Sequence, residues 1–134
     1  MNNKKIYVSH QFRYYKEFDL LVNKFKELNW NFCSYEVPEY DPFDIKHKNE
    51  IELELKELIE SCNIFLILAH NTIGNSFWLV KEIEYNVKNN HYTIGVIPNE
   101  YTKKTPLFIE KIVNQDFVNF NVEEICDAIT IQQL

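Results

Sequence analysis

The sequence predicts an α/β fold, a three-layer sandwich in which helices cover both faces of a central parallel five-stranded sheet. Five short apolar runs, typical of strands, alternate along the chain with segments whose apolar residues lie three or four positions apart, as in amphipathic helices. The third run, Ile64 to Ala69, is apolar without alternation, which is typical of a strand buried on both faces of a parallel sheet.

The predicted strands are Ile6 to Val8, Asn31 to Tyr35, Ile64 to Ala69, Tyr92 to Ile97 and Phe117 to Phe120. Parallel strands separated by helices need crossover connections, which are almost always right-handed. Together with the size of the chain, this favours the flavodoxin-like strand order 2-1-3-4-5. Because the sequence contains no linker, repeat or low-complexity tract, residues 1–134 are expected to form one domain.

Four helices are predicted from the spacing of apolar residues. Their buried stripes are Phe18, Leu21, Val22, Phe25 and Leu28; Ile51, Leu55, Leu58, Ile59 and Cys62; Leu79, Ile83 and Val87; and Ile125, Ala128 and Ile129. Residues 106–113 leave room for at most two further turns. Glu36 to His47 is predicted as a long loop, because Pro38 and Pro42 forbid a continuous helix.

The composition excludes several functional classes. Fourteen basic and twenty acidic residues give a net charge of −6, the opposite of the basic footprint of a nucleic-acid-binding protein. The two glycines, Gly74 and Gly95, cannot build a G-x-G-x-x-G or Walker phosphate loop. No apolar segment is long enough to span a membrane, and residues 1–20 do not have the pattern of a secretion signal. We therefore expect neither nucleic acid nor a membrane as a partner.

The cysteines indicate the compartment. Three cysteines occur, without C-x-x-C spacing. An odd number without that spacing favours reduced thiols in a cytoplasmic protein over a disulfide framework or a zinc site.

Ligands of open parallel sheets bind beyond the carboxyl ends of the strands. The residues that follow the first three predicted strands there are Ser9, His10, Gln11 and Phe12; Tyr35 and Glu36; and His70, Asn71 and Thr72. His10 and His70 follow strands that are adjacent in the expected order, but no third ligand has a recognisable spacing, so no metal site is predicted.

Glu82 interrupts the predicted apolar face of the third helix. The stripe that begins with Leu79 and Ile83 places its carboxylate beside the sheet, whereas Glu84 lies on the opposite, solvated face. A half-buried carboxylate near a cleft is a functional candidate, because its desolvation is costly. From spacing alone, a structural role is equally well supported, in which Glu82 caps a loop amide or lies in water at the edge of the stripe.

Five segments carry a resemblance to a known family: KKIYVSH, ESCNIFLILAHNT, NSFWLVKEIEY, YTIGVIPNE and NFNVEEICDAI. Together they resemble the TIR-like domains, in particular the bacterial TIR-like sensor proteins of Thoeris antiphage defence. The most specific segment, Ser76 to Glu82, matches the pattern S-x-W-x-x-x-E, in which the glutamate is the catalytic residue of NAD-consuming TIR domains. The resemblance implies a TIR-like fold, Glu82 as the catalytic residue, and Ser9 and His10 as pocket residues.

The chemistry of NAD cleavage is compatible with a single carboxylate. Ordinary glycoside hydrolysis needs a second carboxyl group to protonate the leaving group. The nicotinamide of NAD instead departs as a neutral molecule from a cationic pyridinium, so one preorganised carboxylate can stabilise the oxocarbenium-like charge or bind the ribose hydroxyls. The resemblance therefore implies NAD as the substrate, with no further cofactor. The residues expected to contact it are Ser9, His10, Phe12, Tyr14, Tyr35, His70, Asn71, Ser76 and Trp78.

The resemblance also implies partners. Active TIR enzymes commonly assemble, so a homo-oligomer is expected, as is a separate effector protein that senses an ADP-ribose-derived product, hydrolysed, cyclic or transferred. Two alternatives remain open at the level of sequence. One is a TIR-like adaptor without catalysis; the other is an enzyme similar to nucleoside deoxyribosyltransferases, in which the glutamate is a covalent nucleophile.

Overall fold

A computed structural model describes residues 5–11, 15–38, 40–69, 76–98 and 105–132 of the protein. In chain order, the elements within these residues are β1 (Lys5–Ser9), α1 (Tyr15–Glu27), β2 (Asn31–Cys33), α2 (Ile45–Glu60), β3 (Ile64–Leu68), α3 (Phe77–Asn89), β4 (Tyr92–Ile97), α4 (Leu107–Glu110), β5 (Val118–Asn119) and α5 (Val122–Ile131). Within the described ranges, none of the helices is both long enough and apolar enough to cross a membrane.

The five strands form one parallel sheet in the order β2-β1-β3-β4-β5. This is the predicted flavodoxin-like order, and the predicted α/β class is confirmed. The central strand β3 is buried along its whole length, as its unbroken apolar run requires.

Two apolar clusters lie on the two faces of the sheet. One lies between the sheet and the helices α1 and α5, and includes Ile6, Val8, Phe25 and Ile129. The other lies beneath α2, α3 and α4. Alternate residues of a strand point to opposite faces, so β1 contributes Ile6 and Val8 to the first cluster and Tyr7 to the second. The protein is therefore built in three layers, as predicted.

Two residues of the predicted helical stripes are exposed instead of buried. Leu28 follows the last residue of α1 and is 39% exposed. Val87 is 52% exposed, because two successive steps of four residues from Leu79 rotate the side chain by about 80° around a helix of 3.6 residues per turn. Asn86 takes the buried position in that turn, and its amide donates to the Thr93 hydroxyl at 2.8 Å.

The predicted strand and loop boundaries also need correction. β2 ends at Cys33, so Tyr35 lies in the following loop, and β5 is restricted to Val118–Asn119. The predicted loop 36–47 ends earlier than expected, because Asp44 caps α2 by accepting a hydrogen bond from the backbone amide of His47 at 3.1 Å.

Candidate active site

Glu82 lies in the second turn of α3, with its side chain toward the sheet. The residue is only 5% exposed, and its helical neighbours Leu79 and Ile83 belong to the apolar cluster beneath α2 and α3. The predicted inward orientation is therefore the one observed. Burying a charged carboxylate among such neighbours is costly unless it is paired or protonated.

Tyr7 and Ser9 of β1 present two hydroxyl groups toward Glu82. Residues two apart on a strand share a face. The Tyr7 ring stacks on Phe65, with centroids 5.2 Å apart and planes inclined by 4°, on the face covered by α2 and α3. Both residues are fully buried, yet neither hydroxyl has a hydrogen-bond partner within the described residues. Two buried polar groups are therefore available to a bound molecule.

The surroundings of Glu82 favour its protonated form. Burial raises the pKa of its carboxyl to about 8, because desolvation disfavours the charged form. The hydroxyls of Tyr7 and Ser9 act in the opposite direction, and the nearby Cys33 adds to the rise in pKa. Burial, followed by the charge of Glu82, also raises the pKa of Tyr7, which keeps its hydroxyl a neutral donor. A carboxyl group that titrates near neutral pH beside two hydroxyls is suited to handling charge or protons.

Trp78 places an aromatic ring one helical turn before Glu82 and packs against the same apolar cluster. Its indole meets the rings of Phe77 and Tyr40 edge-on, at centroid distances of 5.0 Å and 6.2 Å. Tyr40 comes from the segment between β2 and α2, so these contacts join that segment to the start of α3. Flat apolar surface therefore lies near the buried carboxyl.

Ser76 begins α3 as its N-cap. Its hydroxyl accepts a hydrogen bond from the backbone amide of Leu79 at 3.4 Å. A serine at this position satisfies an amide that the helix leaves unpaired, which favours starting the helix there. Ser76 therefore helps to set the position of the helix that carries Trp78 and Glu82.

His10 lies on the other side of the sheet from Tyr7. Its ring stacks on Phe18 of α1, with centroids 3.8 Å apart and planes inclined by 10°. Burial lowers the pKa of His10, against smaller opposing effects of the Val8 backbone and two nearby carboxylates. The structure brings Ser9 to Glu82 and places His10 against α1, because neighbouring residues on a strand point to opposite faces.

The side chain of Tyr35 contacts α2. Its hydroxyl donates to Glu54 at 2.5 Å, and the residue lines a surface cavity of about 340 Å³ together with Glu54, Glu57 and Leu58. The hydroxyl is therefore directed to α2 and not to Glu82. Four other predicted contact residues, Phe12, Tyr14, His70 and Asn71, lie outside the described residues.

Tyr7 and Cys33 were not predicted as site residues from the sequence. The signal for Tyr7 was present, because the two-residue period of a strand places Tyr7 on whichever face Ser9 occupies. Cys33 could not be found in this way, since its proximity to the site follows from the pairing of β1 with β2, in which Tyr7 is opposite Cys33. Within the described residues, no group of three or more His, Cys, Asp or Glu side chains could hold a metal ion.

Comparison with known families gives this geometry a context. The sequence model of the family described as "Thoeris protein ThsB, TIR-like domain" matches residues 7–103, well over half of the chain. The chain belongs to the ThsB TIR-like family. The matched range begins at Tyr7 and includes Ser9, Trp78 and Glu82, so the resemblance predicted from the sequence is confirmed. No curated protein sequence gives a significant match to the chain.

Solved structures support the fold of this ThsB TIR-like domain. The heterodimer of the RPS4 and RRS1 TIR domains is similar with a TM-score of 0.60 and 15% identity, covering 97% of each chain. The CMP N-glycosidase BcmB of Clostridium botulinum is similar with a TM-score of 0.59 and 13% identity, covering 95% of this chain and 99% of that one. A diflavin flavoprotein A3 from Nostoc sp. has a TM-score of 0.52 and 9% identity, covering 92% of this chain and 85% of that one. At these identities the likeness establishes the fold.

Proposed function

We propose that this ThsB TIR-like domain cleaves the bond between nicotinamide and ribose in NAD, with Glu82 as the catalytic carboxylate. The observation that carries the proposal is the buried Glu82 carboxyl beside the hydroxyls of Tyr7 and Ser9, which have no hydrogen-bond partner in the described part of the chain. Membership of the ThsB family supports a role in Thoeris antiphage defence. In that role the enzyme acts in the cytoplasm, and its ADP-ribose-derived product is the signal that a separate effector protein senses.

The electrostatics of the site fit a cationic substrate. Before substrate binds, Glu82 is largely protonated at neutral pH, because its pKa is about 8. The positive pyridinium of bound NAD lowers this pKa and favours the carboxylate. When the bond breaks, its electron pair goes to the nicotinamide ring, which leaves neutral, and the positive charge moves to the ribose. The Glu82 carboxylate then faces that charge, where a preorganised group stabilises the transition state most.

The two hydroxyls have a complementary role in this mechanism. Those of Tyr7 and Ser9 lower the pKa of Glu82, so they stabilise its ionised form when substrate is bound. Either hydroxyl can also donate to a ribose oxygen. The positively charged sugar is captured by water, which gives ADP-ribose and a proton, or by another nucleophile such as the adenine of the same molecule, which gives a cyclic product.

A second candidate is a nucleotide N-glycosidase that acts on a neutral base. The fold resembles that of a CMP N-glycosidase. A raised pKa also leaves Glu82 with a proton at neutral pH, and a pyrimidine leaving group needs such a proton in order to depart.

Incubating the purified full chain with NAD or with CMP, and identifying the released base by mass spectrometry, separates the two candidates. We expect nicotinamide from NAD and no cytosine from CMP, and the mass of the nucleotide product identifies the acceptor. Release of cytosine alone would favour the second candidate. Release of neither base, from purified protein and from extract of phage-infected cells that express it, would favour a TIR-like adaptor without catalysis.

Assembly is the second part of the proposal. The RPS4 and RRS1 TIR domains form a heterodimer, and we expect this chain to form a homo-oligomer when active. Light scattering of the purified protein with and without NAD measures its mass in solution. A monomer that releases nicotinamide at full rate would contradict this part.

A further inference from the structure

Cys33 and Cys62 form a close pair of thiols beside the candidate active site. Their sulfur atoms are 3.1 Å apart, although the residues are 29 positions apart in the sequence. Cys33 is the last residue of β2, and Cys62 lies in the turn between α2 and β3. Both are free thiols. The sulfurs need to approach by only about 1 Å to reach the length of a disulfide bond.

The two thiols differ in accessibility and acidity. Cys33 is partly exposed, whereas Cys62 is 2% exposed. The hydrogen bond with Cys62, helped by the charge of Lys5, lowers the pKa of Cys33 against the effect of burial. The same hydrogen bond, together with burial, raises the pKa of Cys62. Because the thiolate is the reactive form, Cys33 is suited to react first and Cys62 to react second.

We propose that Cys33 and Cys62 are an oxidisable dithiol that closes to an intramolecular disulfide when the protein meets a peroxide. The Cys33 thiolate attacks one peroxide oxygen and breaks the O–O bond, which gives a sulfenic acid and hydroxide. Cys62 then attacks the Cys33 sulfur, forms the S–S bond and displaces the sulfenic oxygen as water. In sum, two thiols and one hydrogen peroxide give one disulfide and two waters.

The position of this dithiol connects it to the candidate active site. Cys33 is opposite Tyr7 in the pairing of β1 with β2, and its charge raises the pKa of Glu82. Closing the disulfide removes this ionisable thiol and ties the end of β2 to the turn before β3. The inference concerns a modification site and does not depend on the reaction proposed for Glu82.

Peptide mapping after oxidation tests the proposal directly. The reduced full-length protein is treated with a small molar excess of hydrogen peroxide, alkylated, digested with trypsin without reductant and analysed by mass spectrometry. The three cysteines fall in different tryptic peptides, since Lys46, Lys56 and Lys111 separate them. We expect a cross-link between the peptides of Cys33 and Cys62, a loss of the two thiol hydrogens, and a Cys126 that remains free to alkylate.

One variant tests the order of the two steps, and a second variant is its control. In Cys62→Ser, Cys33 should accumulate as a sulfenic acid that dimedone traps, and no disulfide should form. Cys126→Ser is the matched control, because Cys126 lies in the apolar cluster on the opposite face of the sheet, and it should oxidise like the wild type. A wild-type protein that stays unmodified, gains oxygen without a Cys33–Cys62 link, or links either residue to Cys126 would overturn the proposal.

Discussion

Glu82 shows how a single buried carboxyl group couples folding to pH. In the unfolded chain its pKa is near the ordinary value of 4.5, whereas burial raises the pKa in the folded protein to about 8. Between these two pH values the folded state keeps a proton that the unfolded state has released. The stability that Glu82 contributes is therefore fully present below pH 4.5 and is lost as the pH rises through 8.

Replacing Glu82 by glutamine should remove this dependence. Between pH 4.5 and pH 8, the unfolding free energy of Glu82→Gln is expected to gain on the order of 4 kcal/mol relative to that of the wild type. Urea unfolding of both proteins at the two pH values measures the difference, and Glu84→Gln on the exposed face of the same helix is the control. Equal pH dependence of wild type and Glu82→Gln would show that the carboxyl is not shifted.

Tyr7 is predicted to act through Glu82. Because its hydroxyl lowers the pKa of Glu82, Tyr7→Phe should raise that pKa. Since the ionised carboxylate is the proposed catalytic form, kcat/KM should then rise with pH at a higher pH than in the wild type. The rate at neutral pH is expected to fall about tenfold, while the free energy of unfolding at neutral pH changes little, because the hydroxyl favours the ionised form of Glu82 and that carboxyl is largely protonated in the folded protein. An unchanged pH profile of kcat/KM would contradict this role.

At the residue scale, the inward orientation of the Glu82 side chain could be predicted from the sequence, but the groups that surround it could not. The spacing of Leu79 and Ile83 was sufficient to orient the carboxyl, because both lie on its own helix. Tyr7 was predicted only as part of the strand Ile6 to Val8, since a tyrosine in an apolar strand does not reveal that its hydroxyl lacks a partner. His10 was grouped with Ser9 by its place at the strand end, although strand alternation sends the two side chains to opposite faces.

At the scale of elements, the start of α3 fixes where Glu82 lies. Ser76→Ala is expected to cost about 1 kcal/mol of stability, because it removes the N-cap. Ser76→Asp retains an oxygen acceptor and should keep the stability near that of the wild type. Thermal unfolding of the three proteins tests this. If Ser76→Asp is as destabilised as Ser76→Ala, capping does not explain the role of the serine.

Gly95 of β4 has a packing requirement. A methyl group at this position would overlap the ring of Phe117, so Gly95→Ala is expected to cost about 1–3 kcal/mol. In a protein that also carries Phe117→Ala, the closest obstacle is gone and only Val113 Cγ1, at 3.0 Å, remains near the added methyl group, so the cost of Gly95→Ala should fall. Chemical denaturation of the four proteins in this cycle gives the coupling energy. A coupling energy near zero would show that the ring is not the obstacle.

The ends of the elements were the least predictable features at this scale. Val87 was assigned to a buried stripe with steps of four residues, but the helical period of 3.6 turns it into solvent. The strand at Asn31–Cys33 is shorter than the predicted run, and Tyr35, which lies beyond its end, donates to Glu54 of α2. Such contacts come from another element and leave no mark in the local pattern.

At the scale of the whole molecule, the predicted order of the strands was correct. It followed from alternating strands and helices, which restrict parallel sheets to a few right-handed arrangements. The rule that ligands bind at the carboxyl ends of the strands then selected Ser9 before any contact was known. The closeness of Cys33 to Tyr7 and Cys62 depends on three strands and a turn meeting in space, which residue spacing alone could not predict.

The central claim is that Glu82 provides the catalytic carboxylate for cleavage of NAD. The most direct test is the initial rate of nicotinamide release from NAD by the wild type, Glu82→Gln and Glu84→Gln under identical conditions. We predict that Glu82→Gln lowers the rate by about 100-fold or more and that Glu84→Gln, two residues away on the exposed face of α3, stays within about twofold of the wild type. Nicotinamide release by Glu82→Gln at the wild-type rate would contradict the claim.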